Sequence, residues 1–200
     1  MSNNTKALDI RQVPQGRLAM WTLIAGELII FGGLIAVYLL NRIRYPEWGA
    51  EAVHTSTMFG AINTCVLLLS SFTIVLAHNE ANKNNIKRAQ LYMFLTIVGG
   101  LAFLCIKSIE YSREISEGLT FTSPAMVAKG EGVKSLFWSF YYIMTGLHAL
   151  HVIAGMTTIF IIMMQIGKGK NIHRVELAGM YWHMVDLVWI FLFPLLYIAK

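Results

Sequence analysis

Cysteine and charge are both scarce in this 200-residue chain, and each scarcity removes a class of function. The only cysteines, Cys65 and Cys105, lie far apart inside apolar stretches, with no CxxC spacing. A disulfide scaffold and a thiolate metal site are therefore excluded, and both thiols are expected in the core. Charged residues make up only 14% of the chain. Lys and Arg outnumber Asp and Glu by 16 to 11, but they sit in connections and form no long basic run, so a nucleic-acid surface is not indicated. Residues 1–17 are polar and lack the short apolar region and small-residue cleavage site of a signal peptide, so the first helix is expected to be retained.

Apolar length is what the chain has in abundance. It is 56% hydrophobic, and five stretches approach or exceed the roughly 18–20 residues that cross a bilayer as a helix. The pattern predicts an all-α polytopic bundle, one five-helix transmembrane domain over 18–200 behind the polar tail, with spans near 18–41, 55–78, 89–111, 136–166 and 176–198. The connections on the N-terminal side carry nine Lys and Arg against six on the other, which predicts a cytoplasmic N-terminus and an outer C-terminus.

The few polar residues at membrane depth are the candidates for function, because ionisable groups there cost on the order of 2.5–3.5 kcal/mol each and face a protein interior or a water-filled cavity. In ELAGMYWHMVDLVWIFLFPLLY, helical spacing puts Glu176, Gly179, His183 and Asp186 on one stripe, continued by Trp189 and Phe193. Such a stripe seeks a protein neighbour. Glu27 lies about 14 Å into the first span, near the bilayer centre. Three accounts are open for it: a neutral carboxyl, a hydrogen-bonded tie between helices, or a member of a proton or substrate path. Ala25, Gly26, Gly32 and Gly33 around it allow close helix approach. Asn63, Thr64, Ser70, Ser71 and Thr73 on span two suit interhelical hydrogen bonds, and His78 closes that span at the interface before a short solvated loop.

On span three, Lys107, Glu110 and Glu114 have the spacing of an ion-pair ladder on the helix surface at the membrane boundary. The connection that follows, from Glu117 through Pro124 to Gly132, is the longest and is a candidate cap or contact to a neighbouring subunit. His148 and His151 on span four project from about the same face. A shared metal would need further donors, and Glu27, His183 and Asp186 are the only deep ones, so hydrogen bonding between helices is the favoured role and no metal site is expected.

The segments INTCVLLLSSFTIVLAH, IKSIEY, TGLHALHVIAG and YWHMVDLVWIFLFPLLY, in this order and spacing, resemble subunit III of the haem-copper respiratory oxidases. RLAMWTLIAGELIIF is similar to the segment of that family that carries a buried, carbodiimide-sensitive glutamate, here Glu27. The likeness extends over most of 17–198 and matches the short, five-span form, which lacks the first two helices of longer members; those helices form a lipid-holding cleft with the other five, so the resemblance implies a cleft that is incomplete here or shared with a neighbour. Where many relatives carry a Trp and a Tyr-His pair toward the end of the first helix, this chain has LIAVYLLNR, so lipid contacts do not carry over to those positions.

The resemblance implies a non-redox accessory subunit of a proton-pumping terminal oxidase in a bacterial cytoplasmic membrane. It would pack against catalytic subunit I and other oxidase subunits, within reach of a larger respiratory supercomplex, and would stabilise the core while supporting proton uptake and oxygen access. Haem and copper would belong to the partners and phospholipids to the bundle surface, with no cofactor and no catalytic residue on this chain. The composition agrees, since the chain has only six histidines, and His54, His78 and His173 lie at ends or in loops. Glu27, His148 and His151 would form a buried polar cluster, with the Glu176, His183 and Asp186 stripe bracing the helices. An accessory protein of nitric oxide reductases is the competing reading of the same fold. A small proton-coupled transporter would need an inverted repeat or a pair of broken helices, and Pro194 stands alone near the end of the last span.

Overall fold

The computed structural model describes residues 15–48, 52–120, 132–168 and 172–198, all of the regular structure being helical. Five helices carry the chain: α1 (Gln15–Arg44), α2 (Thr57–Asn82), α3 (Ile86–Ser116), α4 (Gly132–Ile166) and α5 (Arg174–Phe193). One wider turn, Pro194–Ile198, extends α5 to 25 residues. Each is long and apolar enough to span a bilayer. A helix satisfies its own backbone groups, which a lipid environment requires of any exposed segment. The polar tail up to residue 14 and most of the long connection, 121–131, lie outside the described residues.

The helices outrun the sequence-based spans by up to a full turn or more. α2 passes the expected interface residue His78, and only residues 83–85 separate it from α3. Asn84 makes this reversal with φ of 60°, a left-handed conformation that asparagine tolerates. Glu80 braces the turn by accepting from Lys83 Nζ at 3.0 Å and Asn85 Nδ2 at 2.9 Å. At the far end of α3, Gly118 adopts φ of 74°, and the amides of Gly118 and Leu119 return to the carbonyls of Ile115 and Glu114. This is a Schellman closure, and glycine is the residue that adopts its left-handed position at least cost.

α2 and α3 form the closest pair, α5 lies against both α2 and α4, and α1 rests on α5 and more lightly on α4. α5 is the most enclosed helix and α1 the least. Room for this packing comes from small residues that the sequence did not single out. A Cβ on Gly99 would stand 2.7 Å from Ser70 Cβ, and one on Gly155 would stand 2.9 Å from the Trp182 ring. Gly26, Gly32 and Gly33, the expected close-approach residues, instead have open space around them, so α1 presents them outward. Cys65 and Cys105 are likewise exposed, not in the core. A thiol behaves as a small hydrophobe, so a lipid-facing surface accepts it as readily as an interior does.

Candidate functional site: polar groups inside an apolar bundle

Glu27 meets His151 across the α1–α4 contact, with Oε2 2.8 Å from Nε2. The other ring nitrogen, Nδ1, reaches the Leu147 carbonyl at 2.8 Å. Both imidazole nitrogens are therefore engaged, and Phe31 stands edge-on to the ring at 5.3 Å. The pair is not fully enclosed: the side chains of His151 and Glu27 keep 15% and 20% exposure. It is a clamp at the rim of the bundle, holding the least buried helix to α4.

His148, expected in the same cluster, turns into the interior and is fully buried. It packs between Phe103 at 5.4 Å and Trp189 at 5.1 Å, and neither nitrogen has a hydrogen-bond partner among the described residues. One helical step of three residues, about 300°, is enough to send one imidazole inward and leave the other at the rim. The structure thus places Glu27 and His151 together and His148 apart from them.

The largest difference from the sequence-based picture is at Lys107, Glu110 and Glu114. They are not a surface ladder: their exposures are 3%, 2% and 4%. Lys107 Nζ donates to Glu110 Oε2 at 2.9 Å, Tyr141 Oη at 2.9 Å and Tyr197 Oη at 2.7 Å, which uses all three of its protons. The Tyr141 hydroxyl also lies 2.8 Å from Glu114 Oε1 and 3.1 Å from Glu110 Oε1. Four aromatic rings, those of Tyr111, Tyr141, Trp189 and Tyr197, surround the ammonium within 6 Å. The cluster joins α3, α4 and the last turn of α5. Its tyrosines were legible only as aromatic residues; the available signal was that a hydroxyl deep in an apolar helix needs a polar neighbour.

The stripe on α5 divides between two neighbours. Glu176 pairs with Arg17 of α1 at 2.7 Å. His183 Nδ1 lies 2.6 Å from Ser71 Oγ of α2. Asp186 is buried, with neither carboxylate oxygen in hydrogen-bond geometry among the described residues. Along the α5–α2 seam Trp182 donates to Ser70 and Trp189 to Thr64, each at 3.0 Å, and on the α3 side of α2 Thr73 meets Thr96 at 2.7 Å. Thr64, Ser70, Ser71 and Thr73 of α2 therefore bond across helices, while Asn63 is buried with no partner among the described residues. No group of three or more His, Cys, Asp and Glu side chains among the described residues is arranged to hold a metal ion.

Five bilayer-length helices, tied together by buried polar contacts, define an integral membrane protein of the polytopic helical class. The family model described as cytochrome c oxidase subunit III matches residues 15–200, and the chain belongs to that family. It is 31% identical over 186 residues to cytochrome c oxidase subunit 3 of Alkalihalophilus pseudofirmus, covering 90% of this chain and 85% of the relative. The corresponding protein of Thermostichus vulcanus is 30% identical over 187 residues, covering 90% and 86%. A probable quinol oxidase subunit 3 of Staphylococcus epidermidis is 28% identical over 209 residues, covering 98% and 96%. Membership makes the chain an accessory subunit of a haem-copper oxidase, associated with other subunits of that complex.

Proposed function

We propose that the chain is the non-redox subunit III of a proton-pumping terminal oxidase in the aerobic respiratory chain of a bacterial cytoplasmic membrane, with its N-terminus in the cytoplasm. It stabilises catalytic subunit I and keeps proton uptake and oxygen access intact over many turnovers. Haem and copper reside in the partner subunits, phospholipids occupy its surface grooves, and a larger respiratory supercomplex is within its reach. The observation that carries this reading is the Glu27–His151 clamp. It is the polar tie at mid-span between α1, the least enclosed helix, and the rest of the bundle. A carboxyl and an imidazole that satisfy each other at membrane depth hold the least enclosed helix to the bundle, which suits a subunit whose role is to stabilise the complex.

The test compares the purified oxidase with and without this subunit. Haem content and initial turnover are expected to be largely retained, and the number of turnovers before inactivation to fall. Loss of haem on deletion would point to an assembly role, and an unchanged lifetime would sink the protective role. Mass identification of the copurifying chains, with an optical haem spectrum, separates this reading from association with a nitric oxide reductase.

A further inference from the structure

α5 packs against α2 on one side and α1 on the other, which leaves a strip of α5 uncovered between them. His183, Leu187 and Phe191, four residues apart, form that strip, and all three are exposed. A cavity of about 160 Å³ lies on the α2 side, where His78 and Glu176 line it along with His183, Ile74, Val75, Gly179 and Met180. Another of about 210 Å³ lies on the α1 side, where Gly32 has nothing within 4 Å of a would-be Cβ. The result is a trough along the bundle, closed at its N-terminal end by the Arg17–Glu176 ion pair.

His183 sits about 14 Å along α5, well inside the membrane-spanning segment. Ser71 is its one hydrogen-bond partner among the described residues. The second imidazole nitrogen has no hydrogen-bond partner among the described residues, at a depth where an unpaired polar atom is costly. The Glu27–His151 clamp is different, because there both imidazole nitrogens are engaged within this chain. An acyl chain in the trough would leave His183 unpaired. A helix bearing Ser, Thr, Asn, Gln or an acid at that level would satisfy it and fill the space beside Gly32, as small residues and interhelical hydrogen bonds do between membrane helices generally.

We infer that the α1–α5–α2 trough receives one transmembrane helix of another oxidase subunit, which presents a hydrogen-bonding group to His183. This rests on the chain being an oxidase subunit, and it adds which face is covered and by what chemistry.

A photo-crosslinking residue placed at Val75 or Leu187, in the oxidase assembled in cells and purified through this chain, tests it. Phe94 and Leu101, exposed on α3, are the comparison positions. Crosslinks from the trough positions to another oxidase subunit, several-fold stronger than from the α3 positions, are expected. Crosslinks to lipid alone, to a second copy of this chain, or equally from both faces would overturn the inference while leaving the accessory-subunit reading intact if oxidase chains copurify. Absence of any oxidase chain would overturn both. Within the same assay, His183→Leu is expected to weaken the trough crosslink several-fold and His183→Gln to restore most of it. Equal crosslinking in His183→Leu would overturn the assigned hydrogen bond.

Discussion

Lys107 of α3 and Tyr197 in the last turn of α5 meet at 2.7 Å, Nζ to Oη, although 90 residues separate them in sequence. The contact fastens the end of the chain to the interior cluster and leaves the Lys107 ammonium with no unused proton. Removing the cation alone leaves two enclosed carboxyl groups without it. Lys107→Met is expected to destabilise the subunit by about 3–5 kcal/mol, the range for breaking a buried pair from one side. Lys107→Met with Glu110→Gln is expected to be milder than the single change. Thermal unfolding of the purified complex reads both, and a loss below about 1 kcal/mol for the single variant would mean that the cluster is solvated.

The two tyrosines that bond to Lys107 should not be equivalent. Tyr197→Phe removes one of three bonds to Lys107. It is expected to cost about 0.6 kcal/mol and no more than about 1.7 kcal/mol, the measured range for interhelical hydrogen bonds in a membrane protein. Tyr141 touches Lys107 and both carboxyl groups, so Tyr141→Phe is expected to cost more. The reverse order in unfolding midpoints would contradict the arrangement described.

Glu27→Ala and His151→Ala each break the same clamp. Each is expected to shorten the oxidase's functional lifetime, and the double variant to be no worse than the poorer single one, because the two residues act as one unit. Additive losses would show that they act separately. Glu27→Gln retains a hydrogen-bonding side chain, so unchanged turnover, inactivation rate and pumping in that variant would assign Glu27 a purely structural role.

Gly99→Ala sets a Cβ 2.7 Å from Ser70 Cβ, an atom fixed to the backbone and unable to swing aside. The α2–α3 pair must separate, at a cost of about 1–3 kcal/mol. Gly146, also within a helix, has nothing within 4 Å. Gly146→Ala is expected to be neutral or stabilising by up to about 1 kcal/mol, the helix propensity gained. Equal effects in thermal unfolding would refute the difference in packing.

The number, order and approximate position of the helices were legible because uninterrupted apolar length is a one-dimensional signal. The pairing chemistry of α2 was legible in part: Thr64, Ser70, Ser71 and Thr73 do reach neighbouring helices, but Thr64, Ser70 and Thr73 also bond to carbonyls of their own helix, and Asn63 has no partner among the described residues. What stayed hidden depends on rotation and on which helix faces which. Spacing showed that Lys107 and Glu110 can pair, but α3 could have turned them to the surface or the interior. The tyrosines that close the cluster come from α4 and α5, and no local pattern joins them to α3. For the same reason Gly26 and Gly33 read as contact residues, whereas Gly99 and Gly155 carry the close approaches.

The lateral position of α1 has a consequence for how the protein is made. It is the first of the five helices to leave the ribosome, yet the helices it packs against, α4 and α5, are the last. At about 5–20 residues per second, roughly 8–30 s of synthesis pass before those partners are complete. Through that interval α1 waits in the membrane with Glu27 unmatched, while α2 and α3, joined by three residues, can close on each other at once. A nascent chain halted before α4 should therefore have a protected α2–α3 pair and an α1 open to crosslinking by membrane insertion factors.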